Sequence, residues 1–208
     1  MKSKILQIIV LIVLVIDLFL IFNNKTELRF FTKPILLPVL ILWYISSSKS
    51  EKIQLNAFFL AGLILSFFGD LFLLFKWGFL PGLGSFLLAH LCYIISFKKK
   101  PQKRIKEFWP IILSLYASIL LVFLFSYLKE MKIPVFIYAV VISVMMYSAL
   151  KTHNRNLIIG ALFFLISDTL LSFYMFFQPL IMLNLLVMTT YILAQWFLVR
   201  GMLLSKDN

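Results

Sequence analysis

Residues 5–22 have the sequence ILQIIVLIVLVIDLFLIF, an apolar stretch as long as an α-helix needs to be to cross a bilayer. A secretory signal peptide is the other interpretation of such an N-terminus. However, this stretch is long, contains Asp17 and is not followed by a small-x-small cleavage site. The sequence therefore predicts a retained first membrane helix.

The whole chain has the same apolar character as its N-terminus. Of its 208 residues, 62% are hydrophobic and 13% are charged, and the mean hydropathy is +1.02. A soluble domain of this size has too little interior to hide so much apolar surface, and a disordered chain is far more polar. The composition excludes both classes and indicates a multi-pass membrane protein.

Eight apolar stretches are candidate membrane spans, and brief loops separate them. They are residues 5–22, 33–47, 53–75, 79–97, 108–127, 133–150, 157–177 and 180–203. The second is short and has Pro34 and Pro38 near its start, where a helix tolerates proline. The pattern predicts an all-α fold, a polytopic transmembrane bundle of about eight helices that forms one domain over residues 1–208.

The net charge of +12 is spread over the loops and forms no cluster suited to nucleic acid. The N-terminus, the C-terminus and the loops after the second, fourth and sixth spans together hold 14 of the 20 basic residues. Because cytoplasmic loops carry an excess of Lys and Arg, we expect both termini in the cytoplasm and the protein in the cell (inner) membrane. The basic cluster at 98–106 fits this signal, with lipid head-group binding as the alternative.

Two halves of the chain match at an offset of 98 residues. The pairs that recur at this offset include Gly62 with Gly160, Asp70 with Asp168, Leu73 with Leu171, Phe75 with Phe173, and Tyr93 with Tyr191. Because four spans separate the copies, both have the same orientation. The match predicts a parallel 4+4 duplication with halves at about 1–104 and 105–208.

Asp70 and Asp168 are candidate catalytic residues, because charge within a bilayer is costly and a buried acid is usually there for a function. Desolvation disfavours the charged form of a carboxyl group, and two neighbouring carboxyl groups do not ionise equally. Such a pair suits acid–base catalysis, in which one group donates a proton and the other activates water. The alternative is a hydrogen-bonded link between helices. Asp17, close to Asn23 and Asn24, either belongs to the site or marks the helix end.

Two further polar side chains have open interpretations. Lys33 begins the second span and is a counter-ion to the acids, a contact for a phosphate group, or a snorkelling interfacial lysine. His90 lies near the middle of the fourth span, where it either transfers protons or forms an interhelical hydrogen bond. The other histidine, His153, lies in a loop and Cys92 is the single cysteine, so no spacing indicates a metal site.

Tyr93, Tyr191 and Gln195 lie on helices that run opposite to those of the aspartates. By rise per residue they are on the order of 10 Å deeper than Asp70. We expect them to line a tunnel for a lipid tail or to pack, and not to touch the acids.

These motifs resemble the YhhN-type lysoplasmalogenase family. The resemblance is carried by residues 69–73 (GDLFL), 86–93 (FLLAHLCY), 167–171 (SDTLL) and 191–195 (YILAQ), with Lys33 and Pro34 also fitting. It extends over the chain in length and number of spans. It implies an integral-membrane hydrolase that cleaves the vinyl-ether bond of a lysoplasmalogen, releasing a fatty aldehyde and glycerophosphoethanolamine or glycerophosphocholine.

The resemblance also implies roles for individual residues. Asp70 and Asp168 would share the acid and base roles, Lys33 would contact the head-group phosphate, and no metal or cofactor is required. Two other classes of function stay open: a proton-coupled carrier that uses the paired acids, and a non-catalytic lipid-binding protein. Bilayer lipids and a lysophospholipid are the expected partners, and a homo-oligomer is possible.

Overall fold

The computed structural model describes residues 2–204, which are helical throughout apart from turns and short loops. The helices are α1 Lys2–Phe22, α2 Arg29–Ser50, α3 Ala57–Phe72, α4 Phe79–Lys98, α5 Phe108–Leu124, α6 Lys132–Lys151, α7 Arg155–Ser172 and α8 Ile181–Leu204. One-turn 3₁₀ segments precede α2 and α6, and a π-helical turn, Phe173–Phe177, follows α7. The predicted all-α bundle is confirmed.

The outer surface of the bundle is suited to lipid. Six helices are long and apolar enough to cross a membrane, and α3 and α5 are shorter apolar helices. Large apolar side chains are strongly exposed along the outside, with Val122 at 77% and Ile133 at 72%. Because water disfavours so large an apolar surface, the chain is a multi-pass membrane protein.

The second helix differs from the span predicted for it. It begins at Arg29 and runs for 22 residues, so Lys33 lies one turn inside the helix rather than at its start. Pro34 and Pro38 are both within the helix. Each proline lacks one backbone donor, but a helix packed on several neighbours tolerates this loss.

The most extensive helix–helix contacts are those between α3 and α4 and between α7 and α8. Glycine makes both contacts possible: a Cβ atom at Gly62 would collide with the ring of Tyr93, and one at Gly160 would collide with Leu198. Small residues at helix interfaces commonly serve this purpose in membranes. The two halves meet through α4 against α6 and through α1 and α2 against α8, whereas α5 packs at the edge on α6.

Several local features recur in the two halves. Asn56 and Asn154, 98 residues apart, cap the N-termini of α3 and α7 by accepting backbone N–H bonds. Left-handed backbone conformations recur after α1 and α5, at Asn24 and Lys129, and again after α2 and α6. These correspondences support the duplication, and its boundaries stay a prediction.

Candidate active site

A cavity of about 670 Å³ lies between α2, α3, α4, α7 and α8. It opens at the end of the bundle that carries the α1–α2, α3–α4 and α7–α8 loops. Charged side chains of both signs line it, namely Glu27, Arg29, Lys33, Asp70, Lys76 and Asp168. Apolar side chains, including Phe79, Phe86 and Met188, form much of the remaining wall. A ligand with one polar and one apolar part would match such a wall.

Asp70 is buried near the C-terminal end of α3, and both of its carboxylate oxygens have partners. The Nζ atom of Lys33 lies 3.2 Å from Oδ1, in an ion pair between α2 and α3. The hydroxyl of Tyr191 on α8 donates to Oδ2 at 2.8 Å. Lys33 is therefore the counter-ion of Asp70, one of the roles left open by the sequence.

Asp168 occupies the corresponding place on α7 but has different neighbours. The hydroxyl of Tyr138 on α6 donates to its Oδ2 atom at 2.7 Å. Among the side chains that the structure describes, no lysine or arginine pairs with Asp168. Lys132, at the start of α6, instead places its Nζ atom 3.9 Å from the centre of the Phe125 ring. The two aspartates thus share one cavity but differ in their charged partners.

His90 is completely buried on α4 behind Asp168 and does not line the cavity. Its Nε2 atom lies 3.7 Å from Oδ2 of Asp168, beyond hydrogen-bond distance, and neither ring nitrogen has a hydrogen-bond partner. The ring packs edge-on against Phe164 and Tyr138. Proton exchange with Asp168 therefore stays one of the roles open to His90. A contact between His90 and the substrate stays a prediction.

The expectation that Tyr191 does not touch the acids is wrong. Its position along α8 is deep, but the side chains of a helix lean toward its N-terminus. The N-terminus of α8 is at the cavity end, so the phenol of Tyr191 leans outward to reach Asp70. Tyr138, on a helix that also begins at this end, reaches Asp168 in the same way. Sequence analysis missed Tyr138 because no repeated spacing marks it.

Tyr93 and Gln195 lie beneath the cavity, as their depth along α4 and α8 predicts. The hydroxyl of Tyr93 donates to Oε1 of Gln195 at 2.9 Å and lies 3.3 Å from the hydroxyl of Ser66. All three residues are buried and none lines the cavity. They link α3, α4 and α8 by hydrogen bonds beneath the site, and a substrate contact for Tyr93 or Gln195 stays a prediction.

Asp17 is fully buried and takes part in the site through another residue. It accepts hydrogen bonds from Nε and Nη2 of Arg29 at 3.2 and 3.1 Å, and from the hydroxyl of Thr32 at 2.6 Å. Arg29 lines the cavity, whereas Asp17 does not. In the sequence, Arg29 is one of the six basic residues outside the predicted cytoplasmic loops, and its position alone assigns it no role. The pair could have been predicted from one feature of the sequence: an acid and an arginine lie on either side of a short turn between two helices.

Residues 2–204 contain no cluster of three or more His, Cys, Asp or Glu side chains that could hold a metal ion. Cys92 is a partly buried free cysteine on α4. The chemistry available at the site is that of two carboxyl groups, two phenols, an imidazole and the neighbouring cations.

The fold and the site define a multi-pass membrane protein that holds two aspartates in one amphipathic cavity. The chain belongs to the YhhN family, whose model matches residues 28–202, and the resemblance noted in the motifs is confirmed. Lysoplasmalogenase TMEM86B of Homo sapiens is 31% identical over 164 residues, which cover 76% of this chain and 69% of that protein. Its counterpart in Rattus norvegicus is 31% identical over 174 residues, covering 83% and 71%. No solved structure matches the chain.

Proposed function

We propose that this protein is a lysoplasmalogenase, an enzyme that hydrolyses the vinyl-ether bond of a lysoplasmalogen. The observation that carries the proposal is the presence of Asp70 and Asp168 in one cavity of an otherwise apolar bundle. The names of its relatives agree with this function. They do not favour the carrier that the sequence left open.

We infer the roles of the two aspartates from their different partners. Vinyl ethers hydrolyse when an acid protonates the β-carbon, which produces an oxocarbenium ion that water captures. Among the described residues Asp168 has a phenol and an imidazole nearby but no cationic side chain, so we assign it as the proton donor. Asp70 carries its negative charge beside Lys33, so it stabilises the cation and removes a proton from the attacking water.

Collapse of the resulting hemiacetal returns both groups to their starting states. The hemiacetal hydroxyl gives its proton to the Asp168 carboxylate as the C=O bond of the aldehyde forms. The protonated Asp70 donates to the glycerol oxygen as the C–O bond breaks. One water is consumed, and a fatty aldehyde and a glycerophospho head group leave, with no net proton change at the enzyme.

The cavity also orients the substrate. Its apolar wall suits the alkenyl chain, and its charged mouth suits the head group. We further propose that both termini are cytoplasmic, as the basic residues indicate, which makes the cavity open on the opposite face of the inner membrane. A C-terminal reporter that is active only in the cytoplasm tests this orientation. A homo-oligomer, which the sequence leaves open, stays a prediction.

The decisive experiment measures aldehyde release from an alkenyl lysophospholipid by the purified protein in detergent. We expect D70N and D168N each to lower kcat by at least about a hundredfold, since each variant removes an acid–base group. Glu130→Gln is the matched control, because this exposed acid lies outside the cavity. Full activity in both aspartate variants contradicts the catalytic assignment. Proton-coupled uptake into proteoliposomes without aldehyde release would support a carrier.

A further inference from the structure

The side chain of Arg29 is held in one orientation by its hydrogen bonds to Asp17. It is the first residue of α2, it is 8% exposed, and it lines the cavity. Its Nε and Nη2 atoms face the two oxygens of Asp17, which is itself fully buried and also bonded to Thr32. This two-point contact fixes the plane of the guanidinium group as well as its position.

The opposite edge of the same guanidinium group remains available. A guanidinium has five N–H donors, and Asp17 takes two of them, so three are left. Within residues 2–204 no acceptor for these three donors is found. Since Arg29 lines the cavity, a ligand there can reach them.

The other two cations of the cavity are less suited to bind an anion. Lys33 is already paired with Asp70 at 3.2 Å. Lys76 is exposed, so water and salt screen its charge. Arg29 alone combines burial, a fixed plane and free donors, and a guanidinium edge matches the oxygens of a phosphate group in two-point geometry.

We propose that Arg29 binds the phosphodiester of the substrate head group and that Asp17 is the positioning residue that orients Arg29. The inference rests on the proposed function for the identity of the substrate. Its geometry fits that substrate, because Arg29 lies one helical turn nearer the mouth than Lys33, and a glycerol backbone separates the phosphate from the vinyl ether. In this proposal the phosphate contact, one of the roles left open for Lys33, belongs to Arg29.

The test compares two substrates, 1-alkenyl-glycerophosphoethanolamine and 1-alkenylglycerol, which lacks the phosphate. We expect R29Q to lower the ratio of their kcat/KM values at least tenfold, chiefly through a higher KM for the phosphate-bearing substrate. R29K should also lower this ratio, because an ammonium group cannot contact Asp17 and a phosphate through one rigid plane. K25Q, which removes an exposed charge from the same loop outside the cavity, is the control. An unchanged ratio in R29Q overturns the proposal.

A binding measurement separates this inference from the proposed activity. A saturated 1-alkyl lysophospholipid and the matching alkylglycerol are not vinyl ethers, and ligand-induced thermal stabilisation reports their binding without turnover. R29Q and D17N should each lose most of the stabilisation given by the phosphate-bearing ligand. D17N binding this ligand as tightly as the wild type would overturn the positioning role. If the wild type releases no aldehyde but this pattern holds, the proposed function fails and the phosphate site stands.

Discussion

Asp70 and Asp168 show how the neighbours of a side chain determine its chemistry. Each accepts a hydrogen bond from a tyrosine, at 2.8 and 2.7 Å respectively, but only Asp70 has a lysine beside it. Sequence alone makes the two acids equivalent, because they occupy matching positions of a repeat. The position of one ammonium group distinguishes the proposed base from the proposed acid.

At the same scale, Y191F should lower kcat by about tenfold with little change in KM. The variant removes one hydrogen bond to a charged group, worth about 1.5–3 kcal/mol, without changing the shape of the cavity. Aldehyde release by the purified enzyme measures the effect. Y127F is the matched control, since that phenol is exposed and lies outside the cavity, and its kcat should stay within about twofold. Equal losses in the two variants would contradict a direct role for Tyr191.

At the scale of the helices, the packing of α7 on α8 depends on the close contact between Gly160 and Leu198. Its contribution to stability can be measured by comparing Gly160 with Gly84. Gly160→Ala should destabilise the protein by roughly 1–3 kcal/mol, because the new methyl group overlaps Leu198. Gly84→Ala is the matched control, since a Cβ atom there has open space and alanine favours the helix by about 1 kcal/mol. Unfolding in mild detergent measures both. Equal stability of the two variants would show that the α7–α8 contact adapts.

The elements also show what sequence could and could not predict. Apolar runs predicted every helix, because the length of a span is set by the bilayer. The start of α2 was misplaced since Pro34 resembles a helix beginning, whereas the helix begins at Arg29. The partners of the acids were harder to predict. Tyr138 reaches Asp168 only through the way α6 packs on α7, and no spacing in the chain records that packing.

For the whole molecule, the site is shared between the two halves. Asp70 on α3 bonds Tyr191 on α8, and Asp168 on α7 lies beside His90 on α4. We therefore expect neither residues 1–104 nor residues 105–208 to release aldehyde when expressed alone, and co-expression to restore activity. The break falls in a loop, so it leaves every helix intact. A control break inside α4 should restore nothing. Activity from one half alone would contradict the shared site.

The ion pair between Lys33 and Asp70 bears on the origin that the predicted duplication implies. A symmetric dimer of one ancestral half would present two identical carboxyl groups, with neither favoured as donor or acceptor of protons. In a fused chain the two lysines can have different partners: Lys33 pairs with Asp70, whereas Lys132 at the start of α6 lies over the Phe125 ring. If the predicted duplication holds, it lets the two acids become unequal, and a chain whose ammonium group paired with Asp168 instead of Asp70 would exchange the roles of its two acids.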